Sequence, residues 1–117
     1  MKRNTFIFSC SIALSACNSD VDNAQIEGVV VDAATGLPIS KASLQIENAY
    51  YQGGDYDSYG GYDSLKITTD SVGVFQLQFS KSANIQVKAY KAGYQSSFIA
   101  KDIISKKSKF VLSLKKQ

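Results

Sequence analysis

From Ile26 onward apolar and polar residues alternate with the period of two expected of a strand with one buried face, and turn-forming residues interrupt them at short intervals. The stretch IEGVVVDA, residues 26–33, is instead a continuous apolar run, which predicts a strand covered on both faces; Gly36 and Pro38 then break the chain. ASLQIE points Ala42, Leu44 and Ile46 to one side, and SLKIT does the same with Leu65 and Ile67. VFQLQF sets Phe75, Leu77 and Phe79 against Gln76 and Gln78, and NIQVKAY turns Ile85, Val87 and Ala89 inward. QSSFIAKDI reads as a less regular strand around Phe98 and Ile99, and KFVLSLK closes the set with Phe110, Leu112 and Leu114. No segment carries a helical stripe. Seven short strands with one apolar face each predict an all-β fold, a seven-stranded antiparallel β-sandwich around a single core. About a dozen large side chains buried at ~1.5–3 kcal/mol each offset much of the ordering entropy without a covalent staple.

The beginning of the chain follows different rules. MKRNTFIFSCSIALSAC offers Lys2 and Arg3, an apolar run from Phe6 to Leu14 too short to span a bilayer, and small residues ending at Cys17. That order is an export signal. Its last four residues, Leu14-Ser15-Ala16-Cys17, resemble the lipobox of bacterial lipoproteins. The resemblance implies diacylglyceryl transfer to the Cys17 thiol, cleavage after Ala16, and acylation of the new amino group by a fatty acid such as palmitate. The plainer alternative is an ordinary secretory signal with an incidental cysteine. Multiple acyl chains make a stable anchor where one binds only marginally. The chain then divides into a signal peptide at 1–16, a lipidated tether at 17–25, whose NSDVDNAQ is polar and aperiodic, and a β-sandwich domain at 26–117. Asn18 is not the aspartate associated with inner-membrane retention, which favours the outer membrane, on either its periplasmic or its surface face.

Composition narrows the chemistry. Cys10 leaves with the signal and Cys17 becomes a thioether, so no thiol remains for disulfides, zinc or nucleophilic catalysis. Lys2 and Arg3 leave as well, so 11 lysines face 10 acidic residues, and nothing points to nucleic acid. Nine of the ten acids lie between Asp20 and Asp70 while six lysines follow Ala100. That asymmetry either orients the domain on a surface or simply marks two solvated faces.

In order along the chain, IEGVVVDAATGLPISKASLQI, TTDSVGVFQLQF, IQVKAYKAGYQS and FVLSL resemble the carboxypeptidase regulatory-like domain, a transthyretin-like (prealbumin-like) Greek-key sandwich. The pattern runs through Gly28, the turn from Asp32 to Pro38, Ala42, Thr69-Asp70, Gly73-Val74-Phe75 and Gly93-Tyr94, and spans residues 26–114. The resemblance implies an appended, non-catalytic module. A hydrolase of a purine-breakdown product on the same fold uses histidine and arginine, and the mature chain has neither. From the residues themselves, Gly36, Gly73 and Gly93 suit turns of positive φ, and Asp70 suits an Asx-type contact with its own turn. Tyr94 reads as a packing aromatic with its hydroxyl at the edge.

One stretch stands apart: YYQGGDYDSYGGYDS, residues 50–64, with five tyrosines, four glycines and three aspartates. Asp55, Asp57, Gly60 and Asp63 match the first, third, sixth and ninth positions of a calcium loop, but Tyr59 takes a ligand position and Lys66 stands where the bidentate glutamate belongs. An EF-hand is therefore rejected and no metal or cofactor is assigned. Phenols spaced by small residues resemble the composition of binding loops, which makes Tyr50, Tyr51, Asp55, Tyr56, Asp57, Tyr59, Tyr62 and Asp63 a candidate ligand-binding loop. The alternative is a long solvated connection, or strands extended through Ala49–Tyr51 and Tyr62–Ser64 to a Gly-Gly tip.

With no histidine, no free thiol, no nucleophile elbow and no phosphate loop, an enzyme is not expected and no catalytic residue is assigned. The expectation is a lipid-anchored, non-enzymatic β-sandwich module of the bacterial envelope, held to the membrane at Cys17 and associating with an envelope protein or glycan. The alternative is a calcium- or carbohydrate-binding module using loop 50–64.

Overall fold

A computed structural model describes residues 20–51 and 59–117. They form seven strands: β1 Val21–Asp32, β2 Ser43–Tyr50, β3 Gly61–Thr68, β4 Val74–Ser82, β5 Asn84–Tyr90, β6 Ser97–Asp102 and β7 Lys107–Leu114. Two sheets result, ordered β4-β1-β7 and β3-β2-β5-β6. The seven-stranded, two-sheet sandwich expected from the alternation is the fold observed. Four ladders are antiparallel, and β1 and β7 run parallel, Gln25 opposite Lys107 through Asp32 opposite Leu114. Among the described residues no helix is long and apolar enough to cross a membrane.

The core is made of the residues that the period of two selects. Ile26 and Val30 of β1, Leu44 and Ile46 of β2, Ile85 and Val87 of β5, and Phe110, Leu112 and Leu114 of β7 are all at most 2% exposed. Phe75 and Phe79 are buried from β4, while Leu65, Ile67, Leu77, Tyr94 and Ile99 pack half-buried around them. Position 28 shares the inward parity of Ile26 and Val30, and it is glycine because the Phe75 ring occupies the space where a Cβ would stand.

Two expectations need correction. β1 begins at Val21, ahead of the apolar run, and Ala24 is fully buried, so residues 21–25 are strand rather than tether. Their pairing with β4, from Val21 opposite Ser82, supplies backbone hydrogen bonds that a polar sequence does not advertise. Second, β1 is not covered on both faces: Glu27 is exposed and Val29 and Val31 are half-buried. Flanking strands shield its outer side without a third layer above it. The less regular strand expected around Phe98 and Ile99 is β6, in which Phe98 is 61% exposed and Ile99 packs half-buried against the core.

At Ala83 the chain leaves one sheet for the other. Its N–H donates to the Ala49 carbonyl (2.8 Å), and its own carbonyl accepts from the Ile103 N–H (2.9 Å). The strand directions then sort the connections into two ends. The near end, where the chain enters β1, holds the start of β1, the end of β2 and the start of β3, the Ala83 corner and the β6–β7 turn. The far end holds the β1–β2, β3–β4 and β5–β6 turns and the C-terminal residues.

Candidate functional site

The outer face of the four-stranded sheet carries the side chains that alternation turns away from the core. Across its strands the register sets Tyr62, Ala49, Asn84 and Asp102 in one row, then Ser64, Glu47, Gln86 and Ala100, then Lys66, Gln45, Lys88 and Phe98. Tyr62, Phe98 and, beyond the last row, Tyr90 are 59%, 61% and 56% exposed. With strands about 4.8 Å apart and residues rising about 3.4 Å, Tyr62 and Phe98 stand roughly 20 Å apart on this face. Two shallow depressions lie on this face. One, about 230 Å³ and lined by Glu47, Ser64, Gln86 and Phe98, lies on the Tyr62 side of Phe98, and the other, about 700 Å³ and lined by Ser43, Gln45, Lys66, Lys88 and Tyr90 among others, lies toward the far end. The outer face of the three-stranded sheet has its own depression of about 460 Å³, but Gln25, Glu27, Gln76, Gln78, Lys107 and Lys109 line it without an aromatic ring.

The tyrosine-rich stretch meets this face at the near end. β2 and β3 extend through Tyr50 and from Gly61, as the extended-strand alternative has it, with Tyr50 opposite Gly61 and the Gly60 N–H donating to the Tyr50 carbonyl (2.8 Å). Tyr51, Tyr59 and Tyr62 gather into one cluster: ring centroids are 4.9 Å apart for Tyr51 and Tyr59, and 6.1 Å apart, edge to face, for Tyr59 and Tyr62. Partial burial pushes the Tyr59 phenol above its ordinary pKa, and neighbouring Tyr51 and Asp102 add to the shift. The Tyr51 N–H donates to Asp20 Oδ1 (2.7 Å), which ties the end of β2 to the residue just before β1.

Two of the expected site residues fall elsewhere. Tyr50 lies over Gly61, where an added Cβ would meet its ring at 2.6 Å, on the side of the sheet opposite Tyr51. Asp63 has the inward parity of Leu65 and Ile67, and accepts from Asn48 Nδ2 at 3.3 Å. Period two therefore separates Asp63 from the ring cluster. It also places Asp63 and Lys66 within a strand, where the curvature of a calcium loop is absent. Among the described residues no group of three or more His, Cys, Asp or Glu side chains is arranged to hold a metal ion. Cys17, Asp55, Tyr56 and Asp57 lie outside the described residues.

Sequence reasoning missed Tyr90, Phe98 and Asn48. Tyr90 follows Ile85, Val87 and Ala89 with the opposite parity, so alternation carried the signal for its exposure. Asn48 continues the inward series Leu44, Ile46 and is fully buried. Its Nδ2 donates to the Lys81 carbonyl (2.8 Å) and so joins the two sheets near the Ala83 corner, while Asn48 Oδ1 and Ser82 Oγ have no partner among the described residues.

No protein-family model matches the chain, and no curated protein matches it. Solved structures do share its fold. A 3-chlorocatechol 1,2-dioxygenase from Rhodococcus opacus 1CP aligns with a TM-score of 0.66 at 17% identity, covering 85% of this chain and 62% of the dioxygenase. The C-terminal domain of the shaft pilin SpaA from Lactobacillus rhamnosus GG aligns with a TM-score of 0.58 at 14% identity, covering 83% of this chain and 100% of that domain. The Bacillus anthracis TIE protein aligns with a TM-score of 0.60 at 22% identity, and the match spans 81% of this chain but 17% of that protein. The chain thus spans less than two thirds of the dioxygenase. At these identities the likeness is one of fold.

Proposed function

We propose that this chain is a non-enzymatic binding module of the bacterial envelope, a lipoprotein of the outer membrane anchored through Cys17, whose outer four-stranded face associates with another envelope component. In this reading the module is of the carboxypeptidase regulatory-like kind. The observation that carries it is the placing of Tyr62, Phe98 and Tyr90 in solvent on one face, over rows of Gln, Lys, Glu and Asn. Large rings with polar neighbours supply contact area at low entropic cost. The non-enzymatic part of the reading draws on how the described aspartates are used. Asp22 pairs with Lys81, Asp32 and Asp70 hold turns, and Asp63 and Asp102 accept from asparagines. A carboxylate pair set apart for acid–base work has no counterpart among them.

The test is photo-crosslinking in living cells from position 98, with position 109 on the opposite sheet as control. Adducts to an envelope component that form from 98 and not from 109 support the reading; equal labelling from both, or none from 98, removes the face from it.

The ring cluster favours the carbohydrate half of the alternative reading, since clustered phenols offer apolar ring surface beside hydroxyls to a sugar. A glycan that raises the melting temperature, with the rise lost on Tyr62→Ser, selects that reading.

A further inference from the structure

We propose that the near end of the sandwich is a seat on the lipid surface, with Ile104 of the β6–β7 turn entering the headgroup region beside Tyr51, Tyr59 and Tyr62. The domain then stands on the membrane with its far end outward. This rests on the anchoring at Cys17 proposed above and adds an orientation to it.

Connectivity carries the first step. The Tyr51 N–H is bonded to the Asp20 carboxylate, and Asp20 is three residues after Cys17, so the Cys17 Cα lies within roughly 11 Å of Asp20 even with the chain fully extended. Acyl chains on Cys17 keep Asp20 within that reach of the headgroups, and Tyr51, bonded to the Asp20 carboxylate, lies one side-chain length beyond it. The far-end turns stand a strand length away, roughly 25 Å for the eight residues of β7.

The second step is chemical. Ile104 is 87% exposed although its neighbour Ile103 is buried at 3%, and no packing among the described residues accounts for an isoleucine at that tip. Lys106 and Lys107 follow, both exposed, with stems long enough to lie along the apolar tip while their ammonium groups reach lipid phosphates. In the segment 101–107 three lysines face one acid, Asp102, which accepts from Asn84 Nδ2 (3.0 Å). Tyrosine, with an apolar ring and a polar hydroxyl, is a residue of the membrane–water boundary. Leu37 and Val72 are also exposed, at the far end, so apolar exposure alone does not choose an end. The point where the chain enters the domain does. Each contact is weak by itself, and the anchor supplies affinity while they set the tilt. The exposed Tyr90 and Phe98 then face away from the lipid, open to a partner.

The chain has no tryptophan, so a single introduced indole reports its own position. Ile104→Trp at the near end and Val72→Trp at the far end are both exposed sites; Tyr62→Trp and Leu37→Trp replace either variant that melts below the parent protein. Each protein, purified from cells, is reconstituted on vesicles of phosphatidylethanolamine and phosphatidylglycerol with brominated acyl chains, after the mass of its amino-terminal peptide is measured. With lipid on Cys17, the near-end indole loses about half of its emission to bromine and the far-end indole keeps its own. Equal quenching at both ends, quenching only at the far end, or none at either overturns the seat and leaves the anchor intact. A peptide mass without lipid overturns the anchor, and the seat with it.

Discussion

The two ends of this sandwich are built on opposite plans. At the far end, side chains fix the backbone of the turns, some from within the turn and some from across the sandwich. Asp32 Oδ1 accepts from the Ala34 and Thr35 N–H groups (2.8 and 3.0 Å), and Asp70 Oδ1 from those of Val72 and Val74 (both 2.9 Å). Buried Thr69 donates to the Ile39 carbonyl and accepts from the Ala42 N–H (both 2.9 Å). Tyr94 reaches across to Asp32 Oδ2 (2.9 Å). At the near end Asp20 holds the Tyr51 N–H, Asn48 the Lys81 carbonyl and Ser105 the Lys107 carbonyl of its own turn, and two buried polar atoms have no partner among the described residues. There three aromatic rings and Ile104 stand in view beside the exposed Lys106 and Lys107. The far end invests its polar groups in fixing the backbone, and the near end leaves surface that the fold does not consume.

The sharpest way to break that contrast is at Gly73. Its φ is 74°, and an added Cβ would stand 2.8 Å from the Val30 carbonyl oxygen, which accepts a hydrogen bond from Ile39. Gly73→Ala meets both backbone strain and a clash with a fixed atom, an expected loss of about 3 kcal/mol in urea unfolding. Gly36 also has a positive φ, 76°, but nothing within 4 Å of a Cβ, so Gly36→Ala costs only the strain, about 1 kcal/mol. Equal losses at the two sites would show that the close approach at Gly73 is not what holds the far end.

These two ends also differ in how legible they were. Positive φ at Gly36, Gly73 and Gly93 and the Asx contacts of Asp70 could be read from the chain, because a turn constrains residues adjacent in sequence. The inward series Leu44, Ile46 and Ile85, Val87, Ala89 could be read because a period of two reports one face. What stayed hidden depends on partners remote in sequence. The strand at Val21–Gln25 exists through pairing with β4, Asn48 is buried for a carbonyl 33 residues away, and the exposure of Phe98 depends on which face of an irregular strand meets the core. The candidate loop was legible as a cluster of phenols, but the split that sends Tyr51, Tyr59 and Tyr62 outward and Tyr50 and Asp63 the other way needed the register.

A second probe of the far end uses pH. The Tyr94 hydroxyl, then the Thr35 and Ala34 N–H groups, hold the Asp32 carboxyl below its ordinary pKa. A depressed carboxyl contributes stability that is present above its unfolded pKa and lost as pH falls through the folded one. The same bond raises the Tyr94 phenol, so its contribution is present below the ordinary tyrosine range and lost as pH rises through the folded value. Melting temperature against pH should therefore fall on both limbs, and Tyr94→Phe should flatten each limb in part, since Tyr59 and Lys81 are also raised and Asp22 is also lowered. An unchanged alkaline limb would remove the bond from the far end's stability.

The smallest effect belongs to the near end. Tyr62 is 59% exposed and touches Tyr59 edge to face, so Tyr62→Ser gives up part of one ring contact, below about 1 kcal/mol, and opens no cavity in the core. The variant should unfold in urea close to the parent. A loss as large as that of Gly73→Ala would mean that the cluster is a second core, built to be covered by the chain itself. A negligible loss leaves three large rings held together at an end where stability does not require them, which is the condition under which a surface is kept for contact with something else.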